Sequence, residues 1–337
     1  MYTQHPYRCR LDWGRHGTRL AAERGDILVI VDTLSFSTAT VTALHHGGII
    51  YPCSQEDDPV LFAQRIGGEI AVNRREVPAK GRFSLSPATL ETIEAGTRVV
   101  LASPNGATCS RYARQVPYLF VGTLVNAEAV AAAVSSLLLA QPNLSATIIA
   151  CGERWHPPTE DGSLRIAIED YLGAGAILSS LPYDKSPEAR VCEGAFLSSK
   201  DDLAALLWDC GSGRELRAIG FEHDIAQSRR VEARHRVGHR TLPRQHHARR
   251  IADDPGIPGD DNARVGSDMH ERLRDRAQVA HAVVDHCYLK HQGARDEGRG
   301  SRKRATRIAT AHPSWTALRR RRAGRARTPF AARARTP

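Results

Sequence analysis

Three short stretches carry residue types suited to anion and metal chemistry, and each follows an apolar run. Asp32 closes DILVIVD (26–32) and precedes Ser35, Ser37 and Thr38 at the start of a helical pattern. Ser103, Pro104, Asn105 and Gly106 end and follow TRVVLAS (97–103). Cys151, Gly152, Glu153 and Arg154 follow SATIIA (145–150). A carboxylate at a strand end can hold Mg2+, which takes one or two carboxylates plus waters and phosphate oxygens. A Pro-Asn-Gly turn entering a helix offers backbone N–H groups and a positive dipole end to a phosphate. Arg154 can clamp a phosphoryl or sulfonate group with two parallel hydrogen bonds. Glu169 and Asp170 add two adjacent carboxylates on a helical segment. Neighbours on a helix do not share a face, so one is expected to reach the metal while the other caps or orients.

Each feature alone has a blander reading. A strand-ending Asp is structural more often than catalytic, Ser-Pro-Asn-Gly is a common turn, and a Glu-Asp pair is usually a solvated helix face. His45-His46 reads as a helix-end pair, and His246-His247 is weak as a ligand set. The case rests on convergence, because a parallel α/β sheet brings the carboxyl ends of its strands to one edge, where ligands bind.

The elements that must do this alternate along residues 1–225. Segments 26–32, 48–53, 97–103, 118–124 and 145–152 are short, apolar and rich in β-branched residues, as buried strands are. Segments 35–47, 59–67, 107–115, 126–140, 163–181, 188–200 and 201–219 read as helices. Repeated β-then-α order predicts an α/β fold of three layers, α/β/α, with a mostly parallel or mixed sheet.

Charge divides the chain at the same place the pattern ends. Residues 1–225 hold 20 Lys+Arg and 26 Asp+Glu, a net of −6, whereas 226–337 hold 27 and 11, a net of +16. The second stretch contains 25 Arg among His, Gly and Pro and has no sustained apolar period; only VAHAVVDHCYL (279–289) suggests a helix. Such a composition cannot bury enough surface to offset chain entropy, so a disordered basic tail is expected. The seven Cys are odd in number and show no C-x-x-C pair, which argues against a disulfide framework or zinc site and for free thiols in a reducing cytoplasm. The first residues lack the apolar region of a signal peptide, and no run approaches the ~18 apolar residues of a membrane span.

Taken together, VVDTLSFSTATVTAL, SLSPATL, VVLASPNGATC, GTLVNAEAVA, CGERW and SLRIAIEDYLGAGAI resemble the 2-phosphosulfolactate phosphatase family, in order and spacing, from about residue 7 to 225. The resemblance implies Mg2+-dependent hydrolysis of a phosphate monoester on a small sulfonated hydroxy acid. On the residues themselves, Asp32, Glu153 and Arg154 are the expected catalytic groups. Substrate binding falls to Ser37, Thr38, Ser103, Asn105, Gly106, Cys151 and Gly152, and the metal to Asp32, Glu169 and Asp170. Three places depart from better-known members: Leu34-Ser35-Phe36 for a Leu-Arg-Ala, Ser84-Leu85-Ser86-Pro87 for a Gly-Asn-Ser-Pro, and Asn73-Arg74-Arg75 for a Gly-Glu-Arg. Arg74, Arg75 and Arg154 are the candidates to replace the lost Arg, and phosphatase chemistry is better supported than the sulfonated substrate. Water is the expected nucleophile, with Asp32 or Cys151 as covalent alternatives.

A small phosphorylated acid is the expected partner, a homodimer is left open, and no membrane contact is expected. Past Ile225 the resemblance stops. The tail is then either a nucleic-acid-binding arm or the product of a shifted reading frame in GC-rich DNA, the latter favoured. An arm would make the chain a nucleic-acid-binding protein with steeply salt-dependent affinity; a shifted frame allows an inactive remnant of the phosphatase.

Overall fold

The computed structural model of the protein describes residues 3–228. The basic tail expected from 226 onward, including the 279–289 segment, lies outside the described residues from 229. In chain order the elements are β1 (Cys9–Trp13), α1 (Gly14–Glu23), β2 (Ile27–Val31), α2 (Phe36–His45), β3 (Ile49–Cys53), α3 (Pro59–Ile66), β4 (Glu69–Ile70), α4 (Pro87–Leu90), β5 (Arg98–Ala102), α5 (Gly106–Tyr112), β6 (Leu119–Gly122), α6 (Ala127–Ala140), β7 (Ala146–Ala150), β8 (Glu153–Thr159), β9 (Gly162–Arg165), α7 (Ile168–Ser179), α8 (Pro187–Ser199), α9 (Leu203–Asp209), α10 (Gly211–Ala218) and α11 (Glu222–Ser228).

The fold is α/β. Four strands form a parallel sheet in the order β1-β7-β2-β6, and three form a second parallel sheet, β3-β5-β4. All five residues of β2 are buried, and their alternation assigns them to two faces. Ile27, Val29 and Val31 pack against α6, α7 and α8 through Val130, Val134, Leu172, Ile177 and Cys192. Leu28 and Ile30 face the other way, against Ala21 of α1 and Cys109 and Ala113 of α5. A strand covered on both sides is why ILVIV is apolar throughout instead of alternating. In the second sheet Ile50, Val99 and Leu101 meet Phe36, Ala39 and Ala43 of α2, while Tyr51, Cys53 and Val100 meet Ala63 of α3.

Register puts the strand exits level. Val31 pairs with both Ala150 and Gly122, and Trp13 pairs with Ala150, so Gly14, Asp32, Thr123 and Cys151 leave the first sheet at one height. Cys53 pairs with Ala102, so Ser54 and Ser103 leave the second sheet together. These exits form a single rim.

The structure differs from the sequence reading in four places. Residues 163–181 are not one helix. Their start is β9, which pairs antiparallel with β8, Glu153 opposite Arg165, after a turn at Gly162 with φ 101°. The positive φ needs glycine and folds the chain back before a helix can begin. Residues 201–219 break into α9 and α10 at Cys210, whose sulfur accepts the Gly213 N–H at 3.3 Å and caps the second helix. The N-terminal segment supplies the edge strand β1 and helix α1, neither signalled by an apolar run. Helix α11 continues past Ile225 to Ser228. No helix among the described residues is long and apolar enough to cross a membrane.

Candidate active site

Asp32 stands where the two sheets meet. Its Oδ2 accepts the Gly106 N–H at 2.7 Å and the Ser103 hydroxyl at 3.3 Å; Oδ1 accepts the Phe36 N–H at 3.3 Å. Burial pushes its carboxyl above the usual range against the pull of these donors, and Glu169 adds to the rise. The turn expected to cradle a phosphate is therefore engaged internally. Gly106 gives its amide to Asp32, and the Asn105 N–H goes to Ser103 Oγ at 3.1 Å.

Ser37 and Thr38 point inward rather than to the rim surface. The Ser37 hydroxyl accepts the Asp32 N–H at 2.9 Å, and Thr38 donates to the Thr33 carbonyl at 2.8 Å and pairs with the Thr123 hydroxyl. Both pin the backbone at the β2 exit. Asp170 does the same from α7: one oxygen accepts the Thr33 N–H at 2.7 Å and the other the Gly152 N–H at 2.9 Å, tying the exits of β2 and β7. Its carboxyl lies well above the usual range, through burial first and then the charges of Asp32 and Glu169. Glu169, its neighbour, is buried as well, and its side chain bonds the Cys210 thiol; among the described residues no hydrogen bond fixes it to the backbone of either exit. The two helix neighbours divide the roles as their different faces require.

Glu153 opens β8. Its Oε2 accepts the Asn105 Nδ2–H at 2.8 Å, and its carboxyl is pushed up to about 7 by burial and then by the charge of Asp32. Asn105 Oδ1 is buried with no hydrogen-bond partner. Arg154 donates through Nη1 to Ser163 at 3.3 Å, while its Nε and Nη2 are buried without partners. Gly152, at φ 65°, leaves no room for a Cβ, which would stand 2.7 Å from Leu164 and 2.9 Å from the Arg165 carbonyl. Cys151 is fully buried and hydrogen-bonded to Cys109; burial holds its thiol protonated, which argues against its use as a nucleophile.

Asp32, Asn105, Glu153, Arg154, Glu169 and Asp170 are thus brought together, whereas Ser37, Thr38, Cys151 and Gly152 support them from behind. One rim residue escaped the sequence reading. Arg15, first after the β1 exit and Gly14, donates through Nη2 to the Pro104 carbonyl at 2.7 Å, within the same turn that holds Asn105. The signal for it was the edge strand, which has too few apolar residues to be read as one.

Asp32, Glu153, Glu169 and Asp170 form a cluster of buried or half-buried carboxylates, and none makes a salt bridge among the described residues. Nor do three or more His, Cys, Asp or Glu side chains there form a ready-made metal cage. A hard cation that needs only one or two carboxylates, completing its shell with water and phosphate oxygens, is compatible with both facts.

Comparison with known proteins agrees with this rim. A family model described as 2-phosphosulpholactate phosphatase matches residues 16–239 of the 337, which includes every rim segment except Arg15 and runs beyond Ile225. A probable 2-phosphosulfolactate phosphatase of Carboxydothermus hydrogenoformans is 28% identical over 205 residues, 59% of this chain and 79% of its own length. Another, of Parasynechococcus marenigrum, is 26% identical over 211 residues, 59% of this chain and 81% of its own. With more than half of its residues matched, from the first helix to beyond the last described one, the chain belongs to the 2-phosphosulpholactate phosphatase family.

Proposed function

We propose that the protein is a cytoplasmic, Mg2+-dependent phosphatase releasing inorganic phosphate from a phosphate monoester of a small hydroxy acid. The substrate named for both relatives, 2-phosphosulfolactate, is the first candidate. The observation that carries the reading is that the family match spans Asp32, the Ser103–Gly106 turn and Glu153–Arg154, at strand exits that register holds level, together with Glu169–Asp170, which Asp170 ties to two of those exits. The cluster of carboxylates without cationic partners supports the metal, since such charges are costly to bury together unless a cation offsets them.

Asp32, whose Oδ1 has only the long Phe36 contact at 3.3 Å, and Glu169 would hold the ion; Asp170 has both oxygens on short backbone amide bonds of 2.7 and 2.9 Å and acts as the brace. Bound there, Mg2+ would supply charge neutralisation at the phosphoryl oxygens. The chain's own groups do the rest. Alkyl phosphate cleavage leaves an alkoxide, a poor leaving group without a proton. Glu153, titrating at about 7, is protonated often enough at neutral pH to donate one. Water adds to phosphorus, the P–O bond to the alcohol breaks, the alcohol oxygen takes the Glu153 proton, and the carboxylate recovers one from the water. Asn105 holds Glu153 in place, and Arg154 supplies fixed positive charge to the anionic substrate.

The test is phosphate release from 2-phosphosulfolactate and a panel of phosphorylated hydroxy acids, with Mg2+ and with EDTA. Release that EDTA abolishes and Mg2+ restores is expected. No release from any member would sink the phosphatase reading, and release indifferent to EDTA would sink the metal.

A further inference from the structure

Two guanidinium groups stand beside one turn with no carboxylate among the described residues in salt-bridge reach. Arg15 Nη2 binds the Pro104 carbonyl at 2.7 Å and Gln55 Oε1 at 3.1 Å. The next residue of that turn, Asn105, binds Glu153, the chain neighbour of Arg154. Arg154 Nη2 in turn comes within 3.7 Å of where a Cβ on Gly14 would stand, adjacent to Arg15. Arg15, in the first turn of α1, and Arg154, in β8, therefore stand close to each other beside this turn.

Like charges so placed repel. The Arg154 guanidinium is held below its ordinary value by burial and then by Arg15. Neither arginine makes a salt bridge among the described residues. Three donor nitrogens, Arg15 Nε and Arg154 Nε and Nη2, are buried with no acceptor among the described residues. Buried charged donors left unsatisfied are expensive, and the cost is recovered when an anion takes them up. Nearby arginines in this protein behave differently: Arg74 has Asp224 and Arg111 has Asp57.

We infer that Arg15 and Arg154 form a subsite for a second acidic group of the substrate, a carboxylate or sulfonate on the carbon skeleton that bears the phosphate. The inference rests on the phosphatase reading for the first group. It assigns the phosphoryl end to the Asp32–Glu169 side, where carboxylates repel any anion not neutralised by a cation. The arginine pair then recognises the remaining charge directly, since flat guanidinium forks match the oxygens of a carboxylate or sulfonate. The pair would favour a substrate that carries this second acid over a simple alkyl phosphate. Arg15 is the specificity-determining residue, because Arg154 is already tied to Ser163 and to the strand that carries Glu153.

The test compares wild type with Arg15→Gln and Arg15→Lys. It measures kcat/KM on 2-phosphosulfolactate and on ethyl phosphate, with thermal melting to check folding. The ratio of the two kcat/KM values should fall at least about tenfold in Arg15→Gln, through KM for the acid, with partial recovery in Arg15→Lys. Equal loss on both substrates overturns the assignment. A second measurement separates this inference from the reaction: calorimetric binding of 3-sulfolactate, which has no phosphate. Binding lost in Arg15→Gln supports the subsite even if no ester is hydrolysed. Wild-type protein that does not bind 3-sulfolactate, or a folded Arg15→Gln that binds it equally well, overturns it.

Discussion

Asp32 Oδ2 accepts the Gly106 N–H at 2.7 Å, so the carboxylate ending a strand of one sheet caps the helix that follows a strand of the other. Two separate ladders are joined at their carboxyl ends by one buried side chain. The approach is close enough that Gly106 admits no side chain: a Cβ there would overlap the Phe36 ring and lie 2.8 Å from both Asp32 Cβ and Oδ2. Gly106→Ala should therefore lower stability by about 1–3 kcal/mol, as overpacking does, and reduce phosphate release with it. A melting curve and a turnover assay on the same preparation check both; an unchanged pair would mean that the junction yields freely.

Asp32→Asn should separate function from stability. Burial raises the folded-state pKa of Asp32. Its contribution to stability is fully present below the unfolded pKa and is lost as pH rises through the raised folded value. At neutral pH the charge is thus a cost that the amide removes, while an amide oxygen still accepts the Gly106 N–H and the NH2 faces only the long Phe36 contact at 3.3 Å. Phosphatase activity should drop at least about 100-fold, with a melting temperature equal to or above that of wild type. Lower stability at pH 7 would show that the charge itself holds the junction.

Asp170→Asn should do the reverse. Both Asp170 oxygens accept backbone amides, so an Asn must aim its NH2 at one of them, Thr33 or Gly152. An amide facing a donor is left unsatisfied, which costs about 1–3 kcal/mol. Denaturant unfolding of the two Asn variants side by side checks the contrast.

Glu153 sets the pH dependence. With its carboxyl at about 7, proton donation should fade as pH rises above that value. The Asn105 N–H favours the ionised form, so Asn105→Ala should move the alkaline limb of the kcat profile upward as well as lower its height. Because the folded pKa is raised, Glu153 stabilises the protein below its unfolded value near 4.5, and that contribution is lost as pH climbs through 7. Glu153→Gln should accordingly lose the alkaline limb and gain stability above neutrality. A profile whose limb ignores both substitutions assigns the proton to another group.

Legibility in the sequence followed apolar content. Asp32, Asn105 and Glu153 were found because each follows a strand buried on both faces, and such strands print as unbroken apolar runs. Arg15 was not, because its strand CRLDW lies at a sheet edge and alternates with Arg10 and Asp12. Ser37 and Thr38 looked like anion binders by type, but a hydroxyl at a strand exit can satisfy the backbone as well as a ligand, and side-chain direction is not written in spacing. Strand β9 was hidden because its residues from Ser163 on run directly into the helical pattern of α7.

The last described helix, short and polar in EHDIAQS, is secured by contacts that its composition does not reveal. Asp224 is fully buried; it accepts the Arg74 Nε–H at 3.1 Å and the Ser86 hydroxyl, and the Ser228 hydroxyl reaches the Thr33 carbonyl at 3.4 Å. Arg74 also donates to Ser35 at 2.7 Å, three residues from Asp32. Helix α11 is thus linked to the β2 exit through Arg74 and Ser35 and directly through Ser228. Removing Asp224 leaves the Arg74 charge without its buried partner, a loss of about 3–5 kcal/mol. Asp224→Ala should therefore unfold at markedly lower denaturant and lose activity in step. Truncation after Ser228 should keep the helix and most of the stability, whereas truncation before Glu222 should match Asp224→Ala or exceed it. If the shorter truncation product melted with the longer one, α11 would be a passenger and the rim would owe its shape to the sheets alone.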